Sequence, residues 1–316
     1  MSIRTFQFGE RVLIIDSKKR RYLATLSEKG EFHSHSGVIT HAQIVGLEEG
    51  ALIANSKGSS YSILRPTLED FVLEMPRGAQ VIYPKDLAPI CMIADIGPGM
   101  RVFETGVGSG ALSMTMLRYG AHITGYELRE DFANRAQSNV RSFLGEEALE
   151  RYDVHIRDAY EGIDGQDFDR VVLDLPEPWN VVSHAEKALR KGGLLVAYTP
   201  SITQAVQVRQ CFGNSWIEAR TMEVLHRTWH IEGMAVRPDH RMVAHTAFLT
   251  VARFIGANSV FAEQTSDYGS MKMHSPGHSS ADSITASIIL SSKFAIPSAP
   301  CALPLAVAKI LSFSRT

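Results

Sequence analysis

The sequence predicts an α/β chain: a Rossmann-like, doubly wound sheet of seven strands, preceded by a small N-terminal antiparallel β-domain. Three observations point there. From about residue 100 to 254, short apolar runs alternate with helix-length amphipathic segments, the pattern of parallel strands joined by crossover helices. A glycine-rich turn, Gly106-Val-Gly-Ser-Gly110, directly follows the first of those runs. Before residue 65, apolar and polar positions alternate in short runs broken by Gly, Ser, Asn and Lys, which suits short antiparallel strands.

In residues 1–65 the period-two runs are Arg11 to Asp16, Tyr22 to Leu26, Ala51 to Ala54 and Tyr61 to Leu64. Lys18, Lys19, Arg20 and Arg21 form a basic turn between the first two, suited to a solvated hairpin tip or to a phosphate contact. Residues 66–99 carry Pro66, Pro76, Gly78, Pro84 and Pro89 and read as a linker and helical connection. The larger domain, 100–257, is expected to place strands at 100–104, 122–126, 153–157, 169–174, 193–198, 217–225 and 246–254. Helices are expected at 110–118, 130–143, 181–190 and 201–212. Residues 258–316 are Ser-rich, with Pro276, Pro297, Pro300 and Pro304, and read as a poorly ordered tail without a core of its own.

At 316 residues the chain has room for one large domain and a smaller one. Cysteines at 91, 211 and 301 show no metal-type spacing and no disulfide framework, so the expectation is a reducing cytoplasm and no metal. Met1 to Glu10 has no apolar signal-peptide core, and no apolar stretch is long enough for a bilayer, so no membrane partner is expected. A net charge of −2 gives no global attraction to a polyanion, and nucleic-acid binding would require local basic patches.

The glycines at 106, 108 and 110 allow a tight turn and close approach to a ligand, and the helical run from Ala111 would present its first-turn amides there. The spacing is Gly-x-Gly-x-Gly with Glu104 two residues ahead, which does not match the dinucleotide fingerprint and disfavours pyrophosphate. An acidic residue attracts a cationic ligand, and S-adenosylmethionine carries a sulfonium and an ammonium. Glu127 ends the next strand about twenty residues on, where a carboxylate accepts hydrogen bonds from two ribose hydroxyls. Asp158 follows the third strand and is placed to accept from an adenine amino group. The fourth strand ends in Asp174-Leu-Pro-Glu-Pro-Trp179, at the carboxyl edge where open α/β sheets do chemistry. Two prolines stiffen this loop, Asn180 is expected to cap the following helix, and Trp179 is equally suited to the core or the site. If the acceptor is a ring nitrogen such as adenine N1, its lone pair is already free, and a fixed carboxylate stabilises the charge that develops.

Seven strands with a late antiparallel pair is a class I methyltransferase arrangement. The Glu104 to Ser113 loop, Gln80-Val-Ile-Tyr-Pro-Lys-Asp86, Asp174 to Trp179, and Arg237-Pro-Asp-His-Arg-Met-Val-Ala-His-Thr-Ala-Phe-Leu249 together resemble the tRNA (adenine-N1)-methyltransferase family. Members make 1-methyladenosine at position 58 of the T-loop, and the resemblance runs from about residue 5 to 255. It implies S-adenosyl-L-methionine as cofactor, with Ser109, Gly110, Ala111 and Leu112 at its methionine part, Glu127 at the ribose, and Phe132 and Asp158 at the adenine. It also implies that Glu104 and Gly106 complete that set, that Asp174 lies between cofactor and target base, and that Tyr83 is a catalytic-site residue packing on the flipped base, although a tyrosine between Ile82 and Pro84 equally suits domain packing. It further implies tRNA as partner and a homotetramer, in which Arg65, Arg77, Lys85, Arg237 and Arg241 from several copies line one groove. His245 is left out of the catalytic set, as a structural histidine.

Two other readings stay open. A protein isoaspartate O-methyltransferase shares the Thr-Gly-x-Gly-Ser-Gly core, although Asp174 would repel its carboxylate nucleophile. A non-catalytic RNA-binding subunit would keep the pocket without turnover, and loss of Asp174 or of a cofactor acid, neither of which is seen, would mark it.

Overall fold

The computed structural model describes residues 4–78 and 80–256; the Ser-rich segment 258–316 lies outside them. The N-terminal part begins with β1 (Arg11–Asp16), β2 (Arg21–Thr25), β3 (Glu31–Ser34), β4 (Gly37–Thr40), β5 (Ala51–Ala54) and β6 (Ser60–Leu64). Four of these form an antiparallel sheet in the order β2-β1-β6-β5, and β3 pairs with β4 in a separate hairpin. Phe6, Val12, Ile14, Ile39, Tyr61 and Ile63 fill its own small core. The β3–β4 hairpin is absent from the sequence reading because Glu31-Phe-His-Ser34 is short, polar and largely exposed.

The basic turn is partly spent on internal pairing. Arg20 is held by Asp16 at 2.6 Å, and Arg21 pairs with Asp70 of the next segment, while Lys18 and Lys19 stay exposed. That segment contains α1 (Leu68–Glu74) and α2 (Pro84–Ile93). Thr67 caps α1 by accepting from the Asp70 amide, and Pro84 starts α2, where a missing N–H costs nothing. Phe71, Val72, Ile90 and Cys91 from these helices belong to the largest apolar cluster among the described residues. The connection is thus part of the main core.

The main sheet collects β7 (Arg101–Thr105), β8 (His122–Glu127), β9 (Tyr152–Ile156), β10 (Phe168–Leu173), β11 (Leu189–Thr199), β12 (Trp216–Glu223) and, after the β13 (Trp229–Glu232) and β14 (Ala235–Pro238) hairpin, β15 (Phe248–Phe254). Its order is β12-β15-β11-β10-β7-β8-β9. The central strands run parallel, and β15 is antiparallel to both β11 and β12. This is the expected seven-stranded arrangement. No buried period in the sequence marks the exposed β13–β14 hairpin inserted before β15, because its apolar residues face solvent.

Crossovers α3 (Ala111–Arg118), α4 (Glu130–Leu144), α5 (Val182–Ala188) and α6 (Ile202–Gln210) complete the layers. Side chains alternate between two apolar clusters across the sheet: Val102, Val172, Leu194 and Val196 face α1 to α4, whereas Phe103, Leu173, Leu195 and Ala197 face α5 and α6. Each large side chain buried on these faces contributes roughly 1.5–3 kcal/mol of transfer free energy. The helix expected at 181–190 stops at Ala188, since Leu189 already pairs with Phe168 in the sheet. Asn180 does not cap it: Asn180 sits in a short 3-10 turn and donates to Glu177 at 3.2 Å. Trp179 is packed against the α5–α6 cluster. Among the described residues, no helix is long and apolar enough to cross a membrane.

Candidate active site

The site is built where β7 and β10 end side by side. Arg170 to Leu173 pair with Val102 to Thr105, and the Asp174 amide extends that ladder by donating to the Thr105 carbonyl at 3.0 Å. The chain then turns at Gly106, whose amide donates to the Tyr126 carbonyl of β8 at 3.1 Å. Gly106 has φ +77°, and a Cβ there would lie 1.6 Å from the Asp174 carbonyl oxygen. No other residue permits this closeness of the two loops.

Beyond the turn, Glu127 closes the floor. One of its oxygens accepts from the Gly108 amide at 2.9 Å and the other from the Arg129 amide at 3.0 Å, leaving lone pairs on both for a diol. Gly110, in the left-handed region at φ +82°, caps α3 without a side-chain acceptor, so the first-turn amides stay open to a ligand. Asp158 uses one oxygen to accept from the Tyr160 amide at 2.9 Å. A cleft of about 170 Å³ brings Gly106, Glu127, Asp158 and Asp174 together, with Leu128 and Pro176 among its walls.

The other sequence-derived positions lie around this cleft. Ala111 and Leu112 bury their side chains in the core, so only their backbone can meet a ligand. Phe132 is nearly buried under the Arg129 guanidinium, 3.7 Å from the ring centre. Glu104 lies behind the loop, where it accepts from the Ser113 hydroxyl at 2.6 Å, which in turn accepts from Tyr152 at 2.9 Å. Burial pushes the Glu104 carboxyl up to about 8 against the pull of Ser113, so near neutral pH it is largely uncharged. Any attraction to a cation therefore falls chiefly to Glu127 and Asp174. Burial, aided by the Glu127 charge, pushes the Asp174 carboxyl up to about 7.

The groups present fit an adenosine bearing an amino-acid tail. The buried Ser109 hydroxyl is without a hydrogen-bond partner among the described residues, while its carbonyl is held by Asn139 at 2.9 Å. An orphaned hydroxyl beside an uncapped helix start suits a carboxylate ligand. Among the described residues, no group of His, Cys, Asp and Glu is arranged to hold a metal ion.

Tyr83 is the N-cap residue of α2 and half-buried; near it, burial, with the charges of Asp86 and Asp174, raises the pKa of the Tyr198 phenol. Next to it is a cluster that sequence reading missed. Lys85 donates to Asp86 at 2.8 Å, to the Val224 carbonyl at 2.8 Å and to Thr246 at 2.6 Å; Thr246 donates to Asp86 at 2.6 Å. The expectation that Lys85 and Arg65 line an RNA groove is thereby corrected. Lys85 is only 6% exposed, and Arg65 is engaged by Glu10 and Glu49 over the ring of Phe6. Arg77, Arg237 and Arg241 remain exposed. The one signal in the sequence was the Lys-Asp pair directly after Tyr-Pro, which reads equally as a solvated helix start. His245 is a latch: its two ring nitrogens meet Glu223 at 2.7 Å and the Pro200 carbonyl at 2.8 Å, and these contacts raise its pKa.

Comparison with known proteins finds relatives in sequence and in fold. A family model described as the tRNA methyltransferase complex GCD14 subunit matches residues 60–237, and one described as TrmI-like N-terminal matches residues 5–53. A tRNA (adenine(58)-N(1))-methyltransferase TrmI of Thermus thermophilus is 36% identical over 247 residues, covering 77% of this chain and 96% of that protein. A SAM-dependent O-methyltransferase structure from Thermotoga maritima superposes with a TM-score of 0.76 at 33% identity, covering 81% of this chain and 96% of that one. The tRNA (m1A58) methyltransferase TrmI of Aquifex aeolicus superposes with a TM-score of 0.71 at 28% identity, covering 80% and 100%.

Proposed function

Because this chain belongs to the tRNA (adenine-N1)-methyltransferase family, we propose that it methylates N1 of adenine 58 in the tRNA T-loop, with Asp174 stabilising the cationic product. S-adenosyl-L-methionine is the cofactor and, when bound, supplies the methyl group from a positively charged sulfur. Ser109 and the open amides at the start of α3 hold its carboxylate, Glu127 its ribose, and Phe132 and Asp158 its adenine. The adenine N1 lone pair lies in the ring plane and is already free, so no proton has to be removed. Methylation leaves the ring positive, and a carboxylate fixed beside it is worth more as that charge grows than before it exists.

The observation that carries this reading is the placement of Asp174. Its backbone is locked by Thr105 and Gly106, and it lines the same cleft as Glu127. A carboxylate acceptor, as in O-methylation of an isoaspartate, would be repelled there. A silent RNA-binding subunit has no need of the full acidic set, which this chain retains. Incubation with labelled cofactor and either unmodified tRNA transcript or an isoaspartyl peptide tests the reading. Label is expected in tRNA only, and Asp174→Ala is expected to stop it while cofactor binding is partly retained. Label in the peptide, or in neither, overturns it.

The working form we propose is a cytoplasmic homotetramer. Its support is an unusual amount of exposed apolar surface: Trp229, Ile231, Met234 and Val236 on the β13–β14 hairpin, with Met234 98% exposed. A separate groove of about 760 Å³, walled by Leu68, Val72, Leu87, Tyr119 and Leu225, adds further apolar surface. Assembly would also bring Arg77, Arg237 and Arg241 of several copies together against the phosphate backbone of tRNA.

A further inference from the structure

Asp174, directly after β10, and Tyr198, the penultimate residue of the neighbouring parallel strand β11, lie at one level. Leu173 pairs with Ala197, so the next residues on each strand, Asp174 and Tyr198, sit side by side at the carboxyl edge. Alternation puts them on one face. Val172 and Val196 belong to the cluster under α1 to α4, Tyr198 packs against the same cluster, and Asp174 follows Val172 by two. Tyr83, at the start of α2, lies close enough to Tyr198 to influence its phenol.

The buried cluster beneath explains how this arrangement is held. Lys85 and Asp86, directly after Tyr83 and Pro84, are pinned to Val224 beyond β12 and to Thr246 before β15. Asp86 is fully buried. Sequestering an ion pair this completely gains little net stability, because desolvation offsets the attraction. What it does supply is a rigid distance between the Tyr83 segment and the sheet edge. Tyr198 lies between these parts, with Asp86, Asp174, Thr246 and Tyr83 all acting on its phenol. Burial, with the charges of Asp86 and Asp174, keeps that phenol in its protonated, hydrogen-bond-donating form against the pull of Thr246.

We propose that Tyr198 is a further substrate-binding residue: its phenol hydroxyl hydrogen-bonds the edge of the target purine opposite Tyr83 and so sets the acceptor nitrogen against Asp174, with Lys85, Asp86 and Thr246 as positioning residues behind it. This inference rests on the adenine-methylation reading. A purine edge carries both hydrogen-bond donors and acceptors, which a neutral phenol matches with one donor and a free lone pair.

The test is Tyr198→Phe, which removes one oxygen and keeps the ring. With unmodified tRNA transcript, kcat/KM for 1-methyladenosine formation is expected to fall about tenfold, as for a lost hydrogen bond. The dissociation constant for S-adenosylhomocysteine, by calorimetry, and the melting temperature are expected to stay at wild-type values. Thr246→Val, which frees the phenol from its neighbour, is expected to lower kcat/KM in the same assay with cofactor affinity again unchanged. Unaltered kcat/KM in Tyr198→Phe overturns the inference, and so does a parallel loss of cofactor affinity, which would mark a merely structural residue. Wild-type enzyme that makes no 1-methyladenosine at all refutes instead the reading on which the inference rests.

Discussion

The carbonyl oxygen of Asp174 occupies the space that a side chain at Gly106 would need, with a hypothetical Cβ only 1.6 Å away. The glycine loop and the acidic loop are thus one unit, and the position of the Asp174 carboxyl depends on the absence of an atom at residue 106. Gly106→Ala has to move a backbone carbonyl and also hold φ near +77°, which disfavours a side chain. We expect at least a hundredfold loss of methylation and a weakened affinity for S-adenosylhomocysteine, measured by quantifying 1-methyladenosine and by calorimetry. Near-normal turnover would show that the two loops are not mechanically joined.

The rate of methylation should depend on the Asp174 carboxyl. It is pushed up to about 7, and the reaction needs its charged form. In the free enzyme, kcat/KM is expected to rise about tenfold per pH unit below neutrality and to level off above it. At saturating cofactor the midpoint should move to lower pH, since an adjacent positive charge favours the carboxylate. Asp174→Asn should lower the rate about 10²–10³-fold, the usual cost of removing a preorganised charge-stabilising group, and flatten this limb of the profile. An unchanged profile in the variant would assign the titration elsewhere.

Glu104 makes a prediction about stability. Its carboxyl ionises near 4.5 when solvated but only at about 8 in the fold. Between these values the folded chain keeps a proton that the unfolded chain has released, so this residue's contribution to stability is full below about 4.5 and is lost as pH rises towards about 8. The slope from one such proton is about 1.4 kcal/mol per pH unit. Glu104→Gln should remove that slope, seen as urea midpoints that diverge from wild type in the variant's favour as the pH is raised. Parallel pH dependences would place the raised carboxyl elsewhere.

The Lys85–Asp86 pair should be costly to halve and cheap to replace. Asp86→Ala strands a buried ammonium and is expected to destabilise the fold by about 3–5 kcal/mol. Lys85→Met combined with Asp86→Leu should recover most of that in urea unfolding while leaving methylation impaired, because Tyr83 loses its fixed distance from the sheet edge. Full activity in the double variant would make the pair dispensable for positioning.

The exposed hairpin should govern assembly. Ile231→Lys with Val236→Asp puts opposite charges at paired, solvent-facing positions and should leave the monomer's fold intact. Light scattering after size exclusion is expected to show a smaller species than wild type, with weaker tRNA binding. An unchanged mass would exclude the hairpin from the interface.

Much of the fold and site is legible along the chain. The apolar runs from Val102 onward and the Gly106 to Gly110 turn imply the parallel sheet and its ligand loop, because strand burial and glycine's freedom of φ are local properties. Glu127, Asp158 and Asp174 are readable because each ends or follows a strand, and topology sends all such ends to one edge. Their chemical states are not readable. Glu104 and Asp174 are both carboxylates on paper, yet burial beside Ser113 and Tyr152 leaves one uncharged well past neutrality, while the other titrates near it.

The class of fold, the cofactor loop and the acids that surround it are written in the order of residues, since they follow from period, spacing and residue type along a continuous stretch. Only the tertiary structure decided that Lys85 and Arg65 are internal struts instead of RNA contacts, that β13 and β14 form an exposed arm, and that Tyr198 stands level with Asp174. The physical reason is distance along the chain: Lys85 meets Val224 and Thr246 across 139 and 161 positions. Such partners are chosen by how the layers pack, and no local pattern records them.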